Sequence, residues 1–312
     1  MMKILLGIAL TAFCWGIYGP VLHKGQVHMG GSLLRPFVCV GVAYFLIAVL
    51  VPFLYLYFKK EQGSWSVTGT LWSLAAGAAG AIGALGLIFA FYFKGNPAFV
   101  MPLVFGGAPV VNSFLTIFMA RNMRQIGPVF LAGLILVVCG AVTVLVFRPT
   151  AAHMRTNWAD LPWVIASVAV VILGWGVYGP VLHKGQMLMG GSRLRPFICV
   201  GLAYFLIAVL VPLIALTGLE TDAAFTFTGS LWSLAAGAAG AIGALGIILA
   251  FAFGGKPIYA MPLVFGCAPV INTFTTMIAT GSTGAAGPLF YAGLILVAVG
   301  AVVVLVFAPK KH

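Results

Sequence analysis

Sixteen residues beginning at Leu71, LWSLAAGAAGAIGALG, return without a single change at Leu231. The recurrence is not local. Trp15 pairs with Trp175, Pro36 with Pro196, Trp72 with Trp232, Asn112 with Asn272 and Gly133 with Gly293, always 160 positions apart. SLLRPFVCVGVAYFLIAVLVP from Ser32 comes back as SRLRPFICVGLAYFLIAVLVP from Ser192, again without insertion or deletion. A chain written twice builds its fold from two copies of one unit. The units here are residues 1–150 and 163–312, with 151–162 as the connecting loop.

Composition decides the solvent of that unit. Hydrophobic residues make up 62% of the chain and charged ones 6%, against about a quarter charged in a soluble domain. Apolar stretches of about 20 residues, the length that crosses a ~30 Å hydrocarbon core, recur from end to end. The expected class is an all-α polytopic membrane protein. The net charge of +12 comes from basic residues scattered singly or in pairs, with no dense basic segment, so no nucleic-acid partner is expected. Cys14, Cys39, Cys139, Cys199 and Cys267 all lie in apolar runs without CxxC or Cys/His spacing. They read as small hydrophobes, and neither a metal site nor a cofactor is expected. Lys3 ahead of an apolar run resembles a secretory signal. The same segment recurs at Trp163 to Pro180, inside the chain, so it is expected to stay as a helix.

Each half reads as five spans: roughly 3–22, 34–58, 71–93, 97–119 and 127–147, then 163–182, 194–217, 231–253, 257–279 and 287–307. Five is odd, so the second half enters the membrane from the opposite side. The fold expected is ten transmembrane helices as two inverted five-helix repeats, a plan common among secondary transporters. With the N-terminus inside, Lys3, Lys59, Lys60, Arg121, Arg124, Lys184, Arg193, Arg195, Lys256, Lys310 and Lys311 face inward, and Lys24, Arg35, Lys94, Arg148 and Arg155 face outward. Eleven against five predicts both termini on the cytoplasmic side of the cell membrane.

The last two spans of each half carry a resemblance. GNPAFVMPLVFGGAPVVNSF from Gly95 is similar to the proline-bearing fourth helix of the drug/metabolite transporter superfamily, in its EamA-like branch. GPVFLAGLILVVCGAVTVLVF from Gly127, with Gly133 and Gly140 spaced by seven, is similar to that family's fifth helix. Many members carry a Glu at the end of the fourth helix; here the corresponding stretches are MARNMRQ from Met119 and IATGSTG from Ile278. The resemblance implies a five-plus-five fold and transport of small metabolites, sugars, amino acids or drugs.

Candidate site residues follow from the doubled pattern. Pro102 and Pro109, matched by Pro262 and Pro269, each remove a backbone donor and crowd the carbonyl four residues earlier. Such interruptions at matching places of two halves point to a midplane site, and Asn112 and Asn272 follow within a turn. Trp15, Tyr18 and Tyr44, with Trp175, Tyr178 and Tyr204, complete the expected substrate contacts. WGIYGPVLHKGQ from Trp15 and WGVYGPVLHKGQ from Trp175 end on basic pairs. His23, Lys24 and Arg35, with His183, Lys184 and Arg195, are either gates or interfacial anchors, since long basic side chains snorkel at a membrane surface. The glycines of the third spans, Gly77, Gly80, Gly83 and Gly86 with their partners from Gly237, give a face for close helix packing.

The acids Glu61, Asp160, Glu220 and Asp222 all fall in loops, and no phosphate-binding G-x-x-x-x-G-K-[ST] occurs. Exchange or facilitated diffusion is therefore expected, with His23 and His183 as the alternative proton carriers. The expected activity is non-enzymatic: secondary transport of a small polar or anionic metabolite by alternating access. The alternative is a non-transporting scaffold or accessory subunit of a larger complex. A small-molecule substrate and membrane lipids are the expected partners, with a homodimer left open.

Overall fold

The structure, a computed structural model, describes residues 1–95, 97–120, 127–147, 160–219, 224–280 and 287–307. Residues 151–159 of the connecting loop, Arg121, Arg124, Arg148, Arg155, Lys310, Lys311, Glu220, Asp222 and the side chain of Pro102 lie outside the described residues. The helices are α1 (Met2–His28), α2 (Leu34–Phe58), α3 (Val67–Tyr92), α4 (Pro97–Ala120) and α5 (Pro128–Val146). They continue as α6 (Leu161–Leu188), α7 (194–219), α8 (Phe227–Ala252), α9 (Pro257–Thr280) and α10 (Pro288–Val306). Among the described residues no strand occurs. Seven helices (α1, α2, α3, α6, α7, α8 and α9) are long and apolar enough to cross a membrane; α4, α5 and α10 hold shorter apolar runs. The chain is an all-helical, multi-pass membrane protein.

The first span of each half is longer than the sequence suggests. Helix α1 passes through Pro20 and the HKGQ stretch and stops only after His28. Proline removes one i→i−4 hydrogen bond, yet the turns on either side hold the helix. The stop is the Gly-Gly pair: Gly30 and Gly31 take φ of +68° and +76°, Gly190 and Gly191 +67° and +75°. Gly31 N–H returns to Gln26 O at 2.9 Å, the six-to-one closure of a glycine C-cap. Helices α3 and α8 start four residues earlier than expected, because Ser66 accepts from Gly69 N and Thr226 from Gly229 N. These are ordinary N-caps. The same hydroxyls donate to Leu188 O (2.9 Å) and His28 O (2.8 Å), tying each cap to the end of α6 or α1.

Helices α2 and α7 each contain a π-helical stretch, Phe45–Leu50 and Leu206–Leu210. Pro52 and Pro212 follow closely in sequence. A proline deprives the carbonyl four residues back of its donor, and a one-residue register slip relieves the crowding. The two helices cross at these stretches. A Cβ on Gly41 would lie 2.9 Å from Ala208 Cβ, and one on Gly201 the same distance from Ala48 Cβ. Neighbours whose numbers rise on one helix and fall on the other make the pair antiparallel.

Small residues set the remaining contacts. A Cβ on Gly7 would sit 2.7 Å from Gly246 O, so α1 and α8 meet backbone to backbone. Gly77 meets Val200 and Ala203 of α7, and Gly83 receives the Trp175 ring of α6. Gly133 and Gly140 of α5 lie against Val303 and Val297 of α10. Without a hydrophobic drive between helices in lipid, such close van der Waals approach is what binds them. Of the five cysteines, all free thiols, Cys14, Cys39 and Cys199 are buried as expected, but Cys139 is exposed.

Candidate functional site

Beside the antiparallel pair α2 and α7, a cavity of about 40 Å³ remains, enough for a few ordered waters. Its lining is Trp15, Tyr18, Tyr44, Gly80 and Phe105, with Trp175, Tyr178, Tyr204, Gly240 and Phe265. These are five pairs, every one separated by 160 in the sequence. Six of the expected substrate contacts are thus brought together. The walls come from α1, α2, α3 and α4 and from α6, α7, α8 and α9.

Each wall residue has a local reason for its place. The indole Nε1 of Trp15 donates to Gly240 O at 3.2 Å, and that of Trp175 to Gly80 O at 3.4 Å. Glycine at 80 and 240 leaves those carbonyls open to the indoles, so the small face serves both packing and the site. Tyr44 and Tyr204 stack with centroids 3.7 Å apart and planes 2° from parallel, and their hydroxyls share a hydrogen bond. Trp15 meets Tyr178 edge-on at 5.8 Å, and Tyr18 meets Trp175 at 6.3 Å. Among the described residues, the buried hydroxyls of Tyr18 and Tyr178 find no hydrogen-bond partner. Unpaired buried polar groups carry a desolvation cost, and these two belong to cavity-lining side chains.

Phe105 and Phe265 (centroids 6.5 Å apart) are not among the contacts expected from sequence. Their signal is nevertheless there: each sits midway between the paired prolines of its span, at matching positions. Helices α4 and α9 each run as one helix through those proline positions. Protein packing around a membrane helix tolerates prolines by re-satisfying the freed groups. Pro109, Pro262 and Pro269 are buried.

The two asparagines stand outside the cavity and act on backbone. Pro20 has no N–H for Gly16 O, and Asn272 Nδ2 donates to that carbonyl at 3.2 Å. Asn112 donates instead to Pro257 O at 3.2 Å.

The basic residues lie toward the helix ends. Lys24 Nζ is 3.9 Å from the Trp232 ring centre and Lys184 Nζ 3.9 Å from that of Trp72; both lysines are exposed. Each pair joins α1 or α6 to the third helix of the other half by a cation–π contact. His23 packs against Phe91 at 5.4 Å and His183 against Phe251 at 4.9 Å. The Arg35 guanidinium lies 5.7 Å from the Phe225 ring. Arg195 Nη1 donates to Glu61 Oε2 at 3.3 Å, an ion pair. Glu61 also accepts from Arg193 N (2.7 Å) and Ser192 Oγ (2.6 Å) at the start of α7. A carboxylate there meets free N–H groups and the positive end of the helix.

No protein-family profile matches the chain, and no curated protein matches it. Fifteen solved chains match in structure. One of them, named only "Crystal structure of protein", aligns with a TM-score of 0.64 at 16% identity, covering 96% of this chain and 97% of that one. This chain is similar to it in fold over almost its full length.

Proposed function

We propose that this protein is a secondary transporter or facilitator of a small polar metabolite, working by alternating access between two inverted halves. The observation that carries the reading is the central cavity lined by five residue pairs, each related by the repeat. A site shared equally by two halves that face opposite ways is what alternating access requires. In this reading all ten helices span the membrane. The shortest, α5 and α10 at 19 residues each, reach about 28 Å at 1.5 Å per residue. The antiparallel contacts between equivalent helices support the inverted arrangement, with both termini cytoplasmic and the cell membrane as the location. The likeness of the fourth and fifth spans to EamA-like drug/metabolite transporters points the same way.

The wall chemistry bears on the solute. Aromatic faces carry a negative quadrupole, and no cationic side chain lines the cavity among the described residues. The phenols of Tyr18 and Tyr178 offer two unused hydrogen-bonding groups. A polar, uncharged solute is better served than an anion, which would meet only neutral donors.

Purified protein in liposomes tests the reading. Saturable counterflow of at least one solute from a metabolite panel is expected. Complete absence of flux and of ligand-induced thermal stabilisation would favour the alternative, a scaffold or accessory subunit. Tyr18→Phe and Tyr178→Phe each lower flux about tenfold if a solute hydrogen bond worth about 1.4 kcal/mol is lost.

A further inference from the structure

One difference between the two halves lies one turn from the cavity. Met101 and Met261 stand four residues before the lining residues Phe105 and Phe265, on the same faces of α4 and α9. Gly19 and Gly179 directly follow the lining residues Tyr18 and Tyr178. The methionine faces the glycine in both halves, but not equally. A Cβ on Gly179 would lie 2.5 Å from Met261 Cγ and 2.7 Å from its sulfur. On Gly19 the Met101 sulfur lies 4.0 Å away against 2.7 Å, its Cε 3.5 Å against 3.1 Å, and the nearest atom is instead Asn272 Nδ2 at 3.4 Å.

Other equivalents shift in the same direction. Pro180 and Phe251 are buried, whereas Pro20 and Phe91 are half-buried. His183 approaches Phe251 more closely than His23 approaches Phe91. Trp15 contacts Phe265 at 6.4 Å. Helices α4 and α9 are antiparallel, as the Phe105–Phe265 and Asn112–Pro257 contacts require. The two methionines therefore flank the cavity on opposite sides.

We infer that Met261 seated on Gly179 is the closed gate of the site, and Met101 standing off Gly19 its loosened counterpart. Passage of the solute exchanges the two contacts. Methionine suits such a gate, because an unbranched thioether with three rotatable bonds slides over a backbone that has no Cβ. Glycine provides the seat in both halves, which gives Gly19 and Gly179 a purpose beyond helix packing. The inference rests on the transport reading for its role, but its geometry can be measured without flux.

The experiment uses the full chain in liposomes with the five native cysteines replaced. Gly179→Cys/Met261→Cys and Gly19→Cys/Met101→Cys are oxidised and the bonds counted by peptide mass spectrometry. Disulfides need Cβ atoms about 3.5–4.5 Å apart, so the Gly179/Met261 pair should close about tenfold faster than its counterpart. Equal rates, or the reverse order, overturn the inference. The closed bond should also stop counterflow until a reductant restores it; flux through a fully formed bond overturns the gate. As a second variant that adds no strain, Tyr44→Cys places one thiol in the cavity. A membrane-impermeant thiol reagent should reach it from the side of His23 and not from the side of His183, until Met261→Ala opens that side too. Equal labelling from both sides before Met261→Ala is added also overturns it. If the wild type carries no solute, the transport reading fails while crosslinking and labelling still decide the asymmetry.

Discussion

Asn112 and Asn272 occupy equivalent places in two copies of one sequence, and they do different things. Asn272 replaces the donor that Pro20 lacks, by bonding Gly16 O. Asn112 reaches the start of α9 instead. The cavity between them shows the opposite behaviour, with every lining residue matched by its partner. Near-identical sequence thus gives a cavity lined by matched pairs beside contacts that differ between the copies. The asymmetry is a property of the assembled state, not of either copy.

Four sets of substitutions break or sharpen that comparison, from large effects to small. If the chamber is shared equally, Trp15→Ala and Trp175→Ala lower counterflow alike, each about a hundredfold or more, since each removes a cavity wall and the indole bond that holds it. Unequal losses would show that one half dominates binding. Glu61→Ala should lower the unfolding midpoint in detergent, by about 1–3 kcal/mol of stability, because charged hydrogen bonds at the start of α7 vanish. In the sequence, Thr221 stands where the repeat would place a second Glu61. Lys24→Gln and Lys184→Gln should each cost about 0.5–1 kcal/mol, the worth of an exposed cation–π contact. Flux unchanged in the double variant, with normal expression, assigns both lysines to anchoring. Flux lost without a change in stability assigns them to the gate. The smallest effect concerns a single backbone angle. Lys94 holds φ of +60° where the other half has Gly254 at +94°. Lys94→Gly should raise the thermal midpoint slightly, by no more than about 0.5 kcal/mol of stability, as relief of left-handed strain is partly offset by the extra freedom a glycine loses on folding.

Much of the site is legible in the sequence. Trp15, Tyr18 and Tyr44 with their partners can be picked out because polar aromatics in apolar spans are few and recur at a constant offset. Phe105 and Phe265 escape such a reading because phenylalanine is ordinary in a membrane helix, and only three-dimensional placement separates a lining ring from a packed one. The length of α1 is obscured for a related reason. Pro20 and the HKGQ stretch look like a stop, whereas the decisive signal is the Gly30–Gly31 pair, whose positive φ closes the last turn. The N-caps at Ser66 and Thr226 are equally obscured, each three residues before a glycine that resembles loop sequence.

Sequence alone determined the helical class, the membrane as solvent and the twofold build, since these follow from composition, run length and exact repetition. Tertiary structure decided which lysine meets which tryptophan, which asparagine repairs a proline and which methionine sits down on its glycine. Those choices depend on contacts between distant helices. Residues that are the same in both copies cannot encode a difference between themselves; their surroundings in the packed structure create it.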